Sequence, residues 1–121
     1  MATEEFFTTR SVDDVCVVVF TQSHILDAVA IERMAASLKE ILEASMERRF
    51  IFDFERVTYM SSSALGMLIG LQRRVAQHRA ELKLAGVSPE VMEVFRITKL
   101  DTVFDIYRDI PAALEAFRKN L

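Results

Sequence analysis

The feature that most constrains this chain is a short hydrophobic run, followed by three successive serines and then an amphipathic segment. Residues 49–54 alternate phenylalanines with Ile51 and Asp53 and are bounded by charge, the pattern of a buried strand. After the serines at 61–63, the following side chains recur at helical spacing: Leu65, Leu68, Ile69, Gln72, Val75 and Ala76. The sequence therefore predicts a strand, a turn carrying hydroxyl groups, and a helix that ends near residues 77–79.

The serines lie where a helix start leaves backbone N–H groups without intrahelical partners. Serine is a favoured capping residue at such a position. The positive end of the helix dipole also favours a phosphate attached there. Two interpretations follow: Ser61, Ser62 and Ser63 cap a helix and are never modified, or one of them accepts a phosphate.

Length and composition restrict the class of protein. A chain of 121 residues, 51% hydrophobic with three Gly and two Pro, suits one compact domain with a single core. The net charge of −3 argues against nucleic acid as a partner, because phosphate binding needs a basic surface. No apolar run approaches the roughly 20 residues that cross a bilayer, and no leader pattern is present at the N-terminus. We therefore expect a cytosolic protein without membrane insertion.

Strand and helix patterns alternate along the chain. Strands are predicted at 6–10, 15–21, 49–54, 81–85 and 103–107, with a turn at 11–14. Helices are predicted at 28–45, after the serines, at 89–98 and after Asp109, with Asp27, Ser88 and Asp109 as N-caps. The order β-β-α-β-α-β-α-β-α predicts a single α/β domain over residues 1–121, with a mostly parallel sheet packed by helices.

The sequence offers little catalytic machinery. A nucleophile elbow needs Gly on both sides of its serine, whereas Ser62 is flanked by Met60 and Ala64. His78 is predicted roughly 24 Å away, at the far end of the serine helix, so only His24 could approach. One Cys and two His cannot assemble a zinc site, and no Gly-rich phosphate loop is present. No catalytic residue, metal or cofactor is therefore predicted, and the hydroxyl cluster is interpreted as a group that is acted upon.

Two smaller predictions concern packing. Cys16 lies within a run of valines and is predicted to be a buried strand thiol without a disulfide partner. Gly66 and Gly70 lie four residues apart on the serine helix, and close packing against the sheet is the predicted reason for both.

Residues 53–66 resemble the signature of STAS domains, as it occurs in bacterial anti-sigma factor antagonists. That signature consists of a hydrophobic strand, a two-residue connection, and then the motif Met-Asp-Ser-Ser/Thr-Gly-Leu-Gly. Further segments are similar to the same family, in the same order. Residues 25–27 resemble its first loop, and residues 84–91 and 95–101 with Phe104 resemble its second half. Asp109 with residues 112–114 resembles its closing helix. The resemblance covers the chain from Val15 onward.

The resemblance implies a binding module that is switched by phosphorylation and that regulates transcription. In the family, the unmodified antagonist binds a partner that is both an anti-sigma factor and a serine kinase, and so frees the sigma factor. The kinase then phosphorylates the antagonist, and a phosphatase resets it. The phosphoacceptor maps to Ser62, with Ser61 and Ser63 as alternates. The partner would contact the 22–27 loop, the serine turn and the helix start, through His24, Asp27, Ser61, Ser62, Ser63, Ala64, Gly66 and Met67.

Two positions depart from the family signature, with Ser61 at its Asp and Ala64 at its Gly. Ser61 keeps the ability to cap but removes a negative charge beside the acceptor and adds a competing hydroxyl. Ala64 adds a methyl group where a kinase would approach closely. Both departures favour an alternative, a constitutive scaffold or accessory STAS subunit of a larger signalling or lipid-transport assembly.

A hydrolase with Ser62 as nucleophile is a more distant alternative. The sequence predicts no oligomeric state.

Overall fold

The computed structural model describes residues 6–119. In chain order its strands and helices are β1 (Phe7–Val12), β2 (Val15–Phe20), β3 (His24–Ile25), α1 (Ala28–Ala44), β4 (Arg49–Asp53), β5 (Tyr59–Met60), α2 (Ser62–Gln77), β6 (Glu81–Ala85), α3 (Pro89–Ile97), β7 (Asp105–Tyr107) and α4 (Ile110–Lys119). A 3₁₀ turn at Leu100–Thr102 precedes β7. The predicted order is confirmed, and the short strands β3 and β5 are additional.

Five strands form one sheet in the order β1-β2-β4-β6-β7. The edge strand β1 is antiparallel to β2, and every other neighbouring pair is parallel. The predicted mostly parallel sheet is therefore confirmed. Because helices connect the parallel strands, the carboxyl ends of β2, β4, β6 and β7 lie along one edge of the sheet.

Two predicted strand boundaries are wrong by two residues, and three others differ by one. β1 continues to Val12, because Ser11 and Val12 pair with Cys16 and Val15, so the turn shrinks to Asp13 and Asp14 at positive φ. β7 begins only at Asp105, because the N–H groups of Val103 and Phe104 bond back to the carbonyl of Leu100 and so still belong to the turn.

The sheet separates two hydrophobic clusters. The larger lies under α1, α2 and α3 and is dominated by aromatic rings, with Phe20 edge-on to Phe52 at a centroid distance of 5.6 Å. The smaller lies under α4, where Phe117 packs with Val17 and Ile51. Strands β2 and β4 supply residues to both clusters, so each of them is buried on both faces. Cys16 is also buried, as predicted.

The apolar face of α2 differs from the predicted stripe. Its buried residues are Ala64, Leu65, Leu68, Leu71 and Val75. Ile69 and Gln72 are only half-buried, and Ala76 is exposed. The predicted close packing of Gly66 and Gly70 is wrong as well, because a Cβ added to either would meet no atom within 4 Å.

The predicted helix caps are confirmed. The side chains of Asp27, Ser88 and Asp109 accept hydrogen bonds from backbone N–H groups three residues on, at 3.0, 3.3 and 2.9 Å. These bonds satisfy donors that the helix itself leaves unpaired. Within residues 6–119, no helix combines the length and the apolar character needed to traverse a bilayer.

Candidate functional site

The two segments predicted to contact a partner are joined by a small parallel sheet. β3 pairs with β5, so that His24 lies beside Tyr59 and Ile25 beside Met60. On one side of this pairing the carbonyl oxygen of Ser23 accepts the N–H groups of Thr58 and Tyr59 at 2.8 and 3.2 Å. The 22–27 loop and the serine turn therefore form one surface, at the edge where the parallel strands end.

Helices α1 and α2 both begin at this surface. Each starts within three residues of the paired strands β3 and β5, and the two helices pack against each other. Asp27 caps α1, and the Ser61 hydroxyl caps α2 by accepting the N–H of Ala64 at 3.2 Å. Neither first turn carries an acidic residue. Of the two helices, α1 has its positive end compensated by the capping carboxylate of Asp27, whereas the positive end of α2 is capped only by a neutral hydroxyl.

The three serines have different positions. Ser61 is half-buried, and its side chain makes the capping hydrogen bond. Ser62 and Ser63 are exposed in the first turn of α2. Capping and phosphate acceptance, which the sequence left as alternatives, are therefore compatible, because different serines can serve them.

The structure separates the predicted contact residues into accessible and inaccessible ones. The exposed ones are His24, Asp27, Ser62, Ser63 and Gly66, and Ser61 and Met67 are half-buried. Ala64 is wrong as a contact residue, because it has no exposed surface and belongs to the larger core cluster. The predicted obstruction of a kinase by the Ala64 methyl is wrong for the same reason.

Sequence reasoning missed three exposed apolar side chains around the serines. Tyr59 is 51% exposed and Leu26 50%, and Val29 in the first turn of α1 is also exposed. The ring of Tyr59 lies 6.5 Å from that of His24, whose Nδ1 is 2.9 Å from the Ser23 hydroxyl. Two features of the sequence could have identified them: Tyr59, an aromatic residue two positions before the first serine, and Leu26, a leucine within a polar loop.

Two depressions lie along this surface. A cleft of about 350 Å³ is lined by Phe6, the 24–27 loop and the start of α1, with Arg33 among its lining residues. A smaller groove is lined by Tyr59, Leu65 and Val94, among others. Among residues 6–119, no group of three or more His, Cys, Asp or Glu side chains could hold a metal ion.

The fold and the site together define an α/β domain with an exposed serine turn at the carboxyl edge of its parallel sheet. The model of the STAS domain family matches residues 7–113, and the chain belongs to that family.

Two relatives illustrate the similarity in sequence. A STAS-domain containing protein of Pseudomonas aeruginosa is 39% identical over 59 residues, which is 49% of this chain and 58% of that protein. The match thus spans less than two thirds of that relative. BtrV of Bordetella bronchiseptica, which is named as an anti-sigma factor antagonist, is 29% identical over 97 residues, or 80% of this chain and 83% of BtrV.

A solved structure extends the similarity to the fold. The phosphorylated form of the Bacillus cell fate determinant SpoIIAA superimposes with a TM-score of 0.70 at 20% identity, covering 92% of this chain and 98% of SpoIIAA. The chain is thus a STAS domain of the anti-sigma factor antagonist type in sequence and fold.

Proposed function

We propose that this protein binds an anti-sigma factor that is also a serine kinase, and that phosphorylation of Ser62 releases it. A phosphatase would restore the binding form. The observation that carries the proposal is the division of roles at the start of α2, where Ser61 caps the helix and Ser62 remains exposed beside it. Modification of Ser62 therefore leaves the helix cap in place.

The electrostatics of the helix start support a switch that acts on binding and spares the fold. A phosphate on Ser62 adds about −1.5 to −2 charges at neutral pH. It would lie at the positive end of α2, whose first turn has no acidic residue. The modified protein should therefore stay folded. Loss of binding then arises across the interface, through like-charge repulsion, desolvation or steric conflict.

The names of similar proteins agree with this assignment. BtrV is named as an anti-sigma factor antagonist, and SpoIIAA has a phosphorylated form. By this analogy, the protein regulates transcription in a bacterial cytoplasm through protein partners.

An accessory STAS subunit that is never phosphorylated is the second candidate. Ser61 supports it, because this residue replaces the carboxylate that the family signature places beside the acceptor. Ala64 gives it no support, because its methyl group is buried. Mass spectrometry of the protein from its native host, with attention to residues 61–63, separates the two candidates.

The direct test begins with an affinity pull-down from the native host, using the wild-type chain and Ser62→Asp as baits. Binding to the captured kinase is then measured for both, with Ser62→Ala and Ser63→Asp as matched controls. We expect Ser62→Asp to weaken binding at least about tenfold without lowering the melting temperature. Ser62→Ala should bind but take up no phosphate, and Ser63→Asp should weaken binding less. Normal binding by Ser62→Asp would contradict the switch.

A further inference from the structure

A buried carboxylate lies at the end of β4, the strand from which the chain continues to the serine turn. Asp53 is the last residue of β4 and is only 6% exposed. The other buried charged side chain within residues 6–119, Lys83, forms an ion pair with Asp105 at 3.3 Å. The Asp53 carboxylate instead accepts a hydrogen bond from the backbone N–H of Glu55. It therefore acts on the backbone at the point where the chain leaves the sheet for the functional surface.

Keeping this carboxylate ionised is unfavourable. Burial raises the pKa of Asp53, and the nearby Glu55 carboxylate raises it further. The hydrogen bond from Glu55 N–H and the charge of Arg10 act in the opposite direction but do not cancel the rise. A neutral residue would avoid most of this desolvation penalty, so the carboxylate at this position needs an explanation other than global stability.

Gly86 makes the contact between Asp53 and Glu55 possible. It follows β6 at a φ of +67°, and a Cβ there would lie 3.0 Å from Asp53 Oδ1 and 3.4 Å from the Glu55 nitrogen. Any larger residue would press on Asp53 Oδ1 and would be strained at this φ. The surrounding backbone is held by bonds from Phe54 N–H to the Ala85 carbonyl at 2.8 Å and from Gly86 N–H to the Tyr107 carbonyl at 3.0 Å.

A series of backbone bonds leads from this contact to the serines. The N–H of Val57 donates to the carbonyl of Phe54 at 2.9 Å and closes the turn that follows Asp53, and the Val57 side chain is buried. Thr58 and Tyr59 then bond to the Ser23 carbonyl, and Ser61 bonds to that of Ile25. The position of the serine turn thus depends on how the chain leaves β4.

We infer that Asp53 is a positioning residue, whose carboxylate in the space left by Gly86 fixes the 54–57 turn and so holds Tyr59 and the serine turn in place for a partner. The consequence for binding rests on the proposed function. How Asp53 holds the 54–57 turn and the serine turn is a property of the chain alone, and it can be measured without a partner.

Amide hydrogen exchange by NMR on Asp53→Ala, Asp53→Asn and Lys83→Met tests the placement. In Asp53→Ala, the amides of Glu55, Tyr59 and Ser61 should exchange about tenfold faster or more, while the amides inside β4 and β6 keep their rates. Asp53→Asn should restore protection, because its side-chain oxygen also accepts a hydrogen bond. Lys83→Met, which alters the other buried charge, should leave these three amides unchanged. The inference is overturned if Asp53→Ala accelerates exchange uniformly or not at all, or if Asp53→Asn behaves like Asp53→Ala.

Binding to the kinase partner, measured on the same variants beside Ser62→Asp, keeps the two proposals apart. Affinity should fall in Asp53→Ala and recover in Asp53→Asn. If Ser62→Asp binds like the wild type, the proposed function fails, and the exchange rates still decide the role of Asp53. If Ser62→Asp blocks binding while Asp53→Ala exchanges like the wild type, the positioning role fails and the switch stands.

Discussion

The backbone N–H of Ser61 donates a hydrogen bond to the carbonyl oxygen of Ile25 at 3.0 Å. This bond connects the cap of α2 to the loop that leads into α1, which is distant in sequence. A partner that contacts Ser62 therefore meets the His24–Asp27 loop as part of the same surface. A substitution that displaces either segment should therefore displace the other.

The cap of α2 should contribute measurably to stability. Ser61→Ala removes the hydroxyl that accepts the Ala64 N–H, and we expect it to lower the free energy of unfolding by about 1 kcal/mol. Ser62→Ala is the matched control, because it deletes the same hydroxyl one residue later, where the side chain is exposed. Urea unfolding of both variants is the measurement. Equal losses in the two variants would contradict the assignment of the cap to Ser61.

The exposed apolar residues beside the serines should dominate partner binding. Tyr59→Ala and Leu26→Ala each remove a half-exposed apolar side chain from the proposed interface, and we expect each to weaken binding about tenfold or more, because aromatic and apolar anchors carry most interface energy. Binding is measured by titration calorimetry against the kinase partner.

Ile97→Ala provides the control for these two variants. Ile97 is the last residue of α3 and is 73% exposed, so its truncation removes comparable apolar surface away from the serine turn. Its binding should match the wild type. A loss as large as that of Tyr59→Ala would place the interface elsewhere.

The sequence allowed the parts of this site that depend on local structure to be predicted. Asp27, Ser88 and Asp109 were identified as caps because each bond spans only three residues, and the strand at 81–85 was placed correctly from its alternation. The Gln22–Asp27 loop was associated with the serine turn only through the family resemblance.

The pairing of β3 with β5 could not be predicted in the same way. Each strand has only two residues, so neither shows a periodic pattern, and the pairing depends on how β2 and β4 place their loops. The burial of Ala64 was missed because small residues carry little weight in a hydrophobic pattern, although this methyl lies in the core. The role proposed for Asp53 needed Gly86, which is distant in sequence.

The stability contribution of Asp53 should depend on pH with a definite sign. Its pKa in the folded protein is raised above the ordinary value of 3.8. At a pH between 3.8 and the raised pKa, the folded state binds more protons than the unfolded state, so stability falls as the pH rises through this range. Above the raised pKa, the destabilisation by the Asp53 carboxylate no longer changes with pH.

Asp53→Asn removes this titration. Urea unfolding of the wild type and of Asp53→Asn across a pH series should therefore show a difference in unfolding free energy that grows as the pH rises from 3.8 and then levels off, with the variant the more stable at neutral pH. A difference that does not change with pH would show that Asp53 titrates alike in both states.

Cys16 should be unreactive in the folded protein for two reasons that act together. Burial, and secondarily the Glu47 carboxylate, raise the pKa of its thiol to about 11, so only about one thiol in a thousand is ionised at pH 8. The side chain is also buried in β2, on the face covered by α1 to α3. The nucleophilic thiolate is therefore both scarce and inaccessible to a reagent.

A thiol reagent at pH 8 should consequently label Cys16 only when β2 opens, at a rate that rises with urea. Cys16→Val with Met46→Cys supplies the control, because Met46 is 94% exposed and a thiol at that position should react at once.

Since labelling then reports the opening of the central sheet, Ser61→Ala should speed labelling of Cys16 if the helix cap supports the whole domain. It should leave the rate unchanged if loss of the cap frays only the first turn of α2. Native labelling of Cys16 as fast as that of the Met46→Cys thiol would contradict its burial.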